Sequence, residues 1–147
     1  MILDWIKRQR AAAKQAKEMK TKALIQEQER DIGEFKSQYF ADLAFPIVII
    51  SKGFYTAVSD LREYYWDIDI HRWGIESNSE LVDSVGDKYN LKFIETGRWV
   101  PYRKKTGTMD SGELKRRLVP LLYMPRHKKE IDSKKDIREI IDLLVAE

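Results

Sequence analysis

Asp67, Asp69 and His71 occupy alternate positions in the run Tyr64-Tyr65-Trp66-Asp67-Ile68-Asp69-Ile70-His71. On a strand, that spacing puts all three side chains on one face, about 7 Å from one to the next. Two carboxylates and an imidazole so arranged suit a hard cation such as magnesium or manganese. With Glu95, or with Glu113 and Lys115, they outline a metal-dependent nuclease. Glu34 and Lys36 repeat the Glu113 and Lys115 spacing inside a helix-forming stretch, which shows how readily the pattern arises without chemistry. The plainer reading of the alternation is the solvent face of a half-buried strand. No metal and no cofactor are expected.

Positive charge is the second candidate. Ten basic residues lie between Arg98 and Lys129 against only Asp110 and Glu113, a local balance of +8. Arg98, Arg103, Lys104, Lys105, Lys115, Arg116 and Arg117 could neutralise phosphates while Trp99 and Tyr102 stack on bases. The same surface could instead pair with acidic residues of a neighbouring subunit.

Other chemistries are poorly provided for. There is no cysteine, so disulfides, thiolate metal sites and cysteine nucleophiles are excluded. His71 and His127 are the only histidines, and neither has a serine nearby in an elbow motif. The seven glycines are scattered, without the spacing of a dinucleotide-binding or nucleoside-triphosphate loop.

The elements that carry these residues follow from composition and periodicity. Residues 4 to 40 hold no proline and one glycine, Gly33, and are rich in Ala, Lys, Gln and Glu, which predicts a long helix. Trp5, Ala12, Ala16 and Met19 make a thin apolar stripe on it, suited to a closely approaching partner. Residues 45–51 predict a buried strand, 54–63 a helix, 64–70 a half-buried strand and 78–89 a helix opened by the box Ser77-Asn78-Ser79-Glu80. Residues 91–95 and 98–103 predict two further strands. The latter continues through a turn at 104–112 into a strand over 113–124, forming a long basic β-hairpin. A last helix follows Ser133-Lys134-Lys135-Asp136, with Ile137, Ile140, Ile141 and Leu144 as its buried stripe.

The whole predicts an α+β fold: a long charged helix over 1–40 as an interaction element, and a compact domain over 41–147 built on a small mixed sheet of about five strands covered by helices. Charge is segregated, with +5 over residues 1–22 and −7 over 23–97. The N-terminal apolar patch, interrupted by Asp4, is too short for a signal sequence or a membrane span. These features suggest a structural protein of a multi-subunit assembly, viral or cellular, in the cytoplasm or a virion. It would dock through Trp5, Ala12, Ala16 and Met19 and through the hairpin, onto protein subunits or copies of itself. A nucleic-acid-binding module is the alternative, and a metal-dependent nuclease the third.

Overall fold

The computed structural model describes residues 1–102 and 104–146, and at Trp73 the backbone alone. It comprises two compact units, Met1–Ser37 and Gln38–Glu147. The first is most of one helix, α1, Ile2–Tyr39. At 1.5 Å per residue its 38 residues extend about 57 Å. Gly33 does not interrupt it; a single glycine costs about 1 kcal/mol in a helix, and the strong helix formers on either side outweigh that.

The second unit is an antiparallel sheet with helices on both faces. Its strands are β1 (Ile47–Ser51), β2 (Phe54–Val58), β3 (Glu80–Val82), β4 (Asp87–Phe93), β5 (Trp99–Pro101) and β6 (Gly107–Thr108). The spatial order is β2-β1-β3-β4-β5, and β6 pairs with β4. Lys88 lies opposite both Val82 and Gly107, so β5 and β6 divide the edge of β4 that β3 leaves open. The helices are α2 (Leu61–Trp66), α3 (Ser111–Leu118), α4 (Pro125–Ser133) and α5 (Ile137–Ala146), with a π-helical turn at Ile70–Gly74 and a 3-10 turn at Val119–Leu121.

The α+β class holds, but the sheet has six strands, all paired antiparallel, where a mixed sheet of about five was expected, and besides the strand expected over 64–70 three local expectations fail. Residues 54–58 are a strand joined to β1 by a tight turn, where Gly53 takes φ +88°. Residues 78–89 are not a helix. Ser79 is buried, its hydroxyl lies 2.6 Å from that of Ser51, and Leu81 and Val82 pair with β1. The β3–β4 turn is then closed by Asp83, whose buried carboxylate accepts from the backbone N–H groups of Ala44, Val85 and Asp87. Burial nonetheless pushes its pKa up. Gly86 in that turn has φ +91°, and a Cβ there would stand 2.6 Å from Met109 O. No other residue fits without displacing the chain.

The third correction concerns the basic hairpin. Its first arm exists as β5, but of residues 113–124 those up to Leu121 lie in α3 and the 3-10 turn, and none is in a strand. Asp110 accepts from Glu113 N at 2.8 Å, an N-cap that starts the helix. Leu114 and Leu118, one turn apart, then bury completely. Asp60 with Glu63 and Asp136 with Glu139 make the same bond, at 2.8 Å each, at the starts of α2 and α5.

Strand alternation gives the sheet two different faces. Val48, Ile50 and Val82 point to one, where Leu114, Leu118, Ile131, Ile140 and Ile141 complete an aliphatic core under α3, α4 and α5. Ile47, Ile49, Leu81 and Leu91 point to the other, which α2 and the π-helical turn cover with aromatic side chains. There Phe40 meets Tyr64 edge-on at 5.0 Å, and Tyr64 meets His71 at 4.8 Å.

Candidate functional site: an arginine–aromatic concavity

Residues 64–71 do not form the strand that their alternation suggested. Asp60 caps α2, and the helix turns Tyr64 inward to complete burial. Asp67 ends the helix, its N–H bonded to Glu63 O at 2.9 Å and its carboxylate accepting from Asp69 N at 3.0 Å. Both aspartates are exposed, while His71 points into the protein. The trio therefore shares no face, and among the described residues no three His, Asp or Glu side chains gather to hold a metal.

His71 is a structural pin. Its Nε2 donates to Tyr64 O at 2.7 Å and its Nδ1 accepts from Trp99 N–H at 3.0 Å. That pattern fixes the neutral Nε2–H tautomer, since a proton on Nδ1 would face another donor. Burial lowers its pKa, against the hydrogen bond to Tyr64, and Arg98 lowers it further while Asp67 acts the other way. Tyr64 hydroxyl donates to Trp99 O at 2.5 Å, so one residue of β5 is clamped through both its backbone groups. Burial holds the Tyr64 phenol far above its ordinary range, which keeps it a donor.

This clamp positions a part of the basic stretch, Arg98, against aromatic surface. Arg98 follows a tight β4–β5 turn in which Gly97, at φ +82°, donates to Ile94 O. Its guanidinium lies over the Tyr65 ring, 4.0 Å from the centroid, and its Nε donates to Tyr65 O at 3.2 Å. Around it, Tyr65, Ile68, Arg72, Phe93 and Gly97 line a concavity of about 400 Å³. A second, of about 520 Å³, adjoins it and shares His71, Arg72 and Phe93, with Ile75 and Trp99 completing its wall. Phe93, tilted against Trp99 at 5.3 Å, remains 55% exposed, and Ile68 61%.

The other expected residues lie elsewhere. Lys115, Arg116 and Arg117 are on α3, over the aliphatic face. Lys115 donates to Asp132 O, Arg117 pairs with Glu80 at 3.1 Å, and Arg116 is exposed. Lys105 pairs with Asp87 at 3.2 Å, Lys104 is exposed, and Tyr102 has the Lys92 ammonium 5.3 Å from its ring centroid. Arg103 lies outside the described residues. On α1, Trp5, Ala12, Ala16 and Met19 are all exposed, like most of residues 1–31. Sequence reasoning missed Tyr65, Ile68, Arg72 and Phe93. For Tyr65 the signal was Asp60-x-x-Glu63, a helix start just ahead of the aromatic run; Ile68, Arg72 and Phe93 join it only through the fold.

No family model and no curated protein matches the chain. Among solved structures, a protein from Shewanella amazonensis determined by NMR is similar at 15% identity and a TM-score of 0.47, covering 71% of this chain and 90% of that one. Among the described residues, no helix is long and apolar enough to cross a membrane.

Proposed function

We propose that this protein is a non-enzymatic component of a larger assembly, docked by its N-terminal helix onto an acidic surface of a partner subunit. The observation that carries this reading is the exposed apolar content of α1. Ile2, Leu3, Trp5, Met19, Leu24 and Ile25 are all more than half exposed on it, as is Met1 just before it. Single exposed apolar residues are ordinary, but at about 100° per residue Trp5 and Met19 fall on one side of the helix with Ala12 and Ala16, and an exposed stripe of that kind suits a docking partner. The +5 balance of residues 1–22 gives that surface its sign. Alanines at 12 and 16 let a partner backbone approach closely, and the apolar N-terminal tip supplies the anchor.

The test uses the full chain purified together with its native partners. Ala12→Glu with Ala16→Glu preserves helix propensity while placing two charges in the stripe, and is expected to reduce co-purification at least tenfold. Size-exclusion chromatography with light scattering reads the outcome. Equal complexes for wild type and variant, or a wild-type monomer whose residue 1–37 amides exchange freely, would refute the reading.

A further inference from the structure

The double concavity on the aromatic face is lined by two arginines and by aromatic side chains. Its two hollows meet at Arg72 and Phe93, so anything occupying both must cross that boundary. Arg72 is exposed, and among the described residues its guanidinium meets no carboxylate. Arg98 is already oriented by the Tyr65 ring and carbonyl, so little of its freedom is left to lose on binding. Phe93 is exposed and Arg98, stacked on Tyr65, and Trp99 are half-exposed beside it, and aromatic faces and guanidinium planes are the surfaces on which unstacked bases stack. We propose that this concavity binds single-stranded nucleic acid, one base against Tyr65, Ile68 and Arg98 and the next against Phe93 and Trp99, with the linking phosphate at Arg72.

The chemistry favours this over an acidic peptide, which would satisfy the two arginines but leave the ring faces of Phe93 and Trp99 without planar partners. It also sets the footprint. Asp67 and Asp69 on the turn beside Ile68 break the positive surface, so contact is limited to about two phosphates. For a single strand that gives a slope of log K against log salt near −1.4, at about −0.7 per phosphate. Stacking in place of hydrogen-bond readout makes binding indifferent to sequence.

Fluorescence anisotropy of labelled oligo-dT and oligo-U hexamers, titrated with the full chain from 20 to 200 mM salt, tests this. Binding with a slope near −1.4 is expected. Phe93→Ala should weaken it about tenfold, the scale of one lost stacked base, and Arg72→Glu at least as much. Lys115→Glu with Arg116→Glu, on the opposite face, should change it less than twofold. Phe93→Leu, which keeps bulk without the aromatic face, should weaken binding like Phe93→Ala and guards against a folding defect. The proposal is overturned by no binding at the lowest salt, or by binding that survives Phe93→Ala and fails in the α3 double variant. Displacement of the hexamer by an equal concentration of hexaglutamate would overturn it as well, assigning the site to acidic peptide.

Discussion

The two faces of the sheet are held by different physics. Under α3, α4 and α5 the contacts are aliphatic: Leu114, Leu118, Ile131, Ile140 and Ile141 fill space against Val48, Ile50 and Val82 without one directed polar bond among them. Under α2 and the π-helical turn the packing is aromatic and pinned. Tyr64 and His71 clamp Trp99, and Ser51 hydroxyl donates to Gly74 O at 3.1 Å. A core held by volume closes on itself, because any gap forfeits contact energy along its whole lining. A layer held by a few directed bonds can stay open at its margin, and the concavity of Arg98, Arg72 and Phe93 sits at that margin.

Four changes test this contrast, beginning with the largest effect. Leu118→Ala removes a fully buried side chain from the aliphatic core and should cost about 3 kcal/mol in denaturant unfolding. Tyr64→Phe keeps the ring and removes only the bond to Trp99 O, so about 1 kcal/mol is expected. If it costs as much as Leu118→Ala, directed bonds hold the aromatic face far more strongly than proposed.

His71 adds a pH dependence confined to the same face. Its folded pKa is lowered, so the unfolded chain takes up the proton first as pH falls below about 6.5. The stability that His71 contributes is therefore complete above that pH and declines down to the lowered folded value, below which the loss is constant. His71→Gln should be less stable at pH 7.5 and should lack this slope; parallel pH profiles for the two proteins would show that His71 does not titrate as its burial implies. The smallest effect is expected at Arg117 and Glu80, a partly exposed pair over the aliphatic face. Glu80→Gln should cost about 0.5 kcal/mol, and less at high salt.

Elements made by local preference were legible in the chain. The proline-free run of Ala, Lys, Gln and Glu is α1, the β-branched run at 47–50 is β1, and the stripe of Ile137, Ile140, Ile141 and Leu144 is the buried face of α5. Elements made by pairing were not. Ser77 to Glu80 has the form of a helix start, yet Ser79 closes a turn and Leu81 and Val82 add a strand to β1, because the sheet offers them full burial. Alternation at 64–70 was real in the sequence and overridden in the fold, since the Asp60 cap and burial of Tyr64 on Phe40 reward a helix. Of the candidate site, Arg98 and Trp99 were visible as a cation beside an aromatic.

The sequence by itself determined the α+β class, the long helix with its exposed stripe, and the charge segregation, because propensity, periodicity and charge are properties of neighbours along the chain. Tertiary structure alone decided that residues 98–117 divide between two faces of the sheet. It also decided that Arg98 lies over Tyr65 and lines one concavity with Arg72 and Phe93. Those residues are brought together by the β4–β5 turn and the clamp on Trp99, contacts between segments some thirty residues apart that no local pattern encodes.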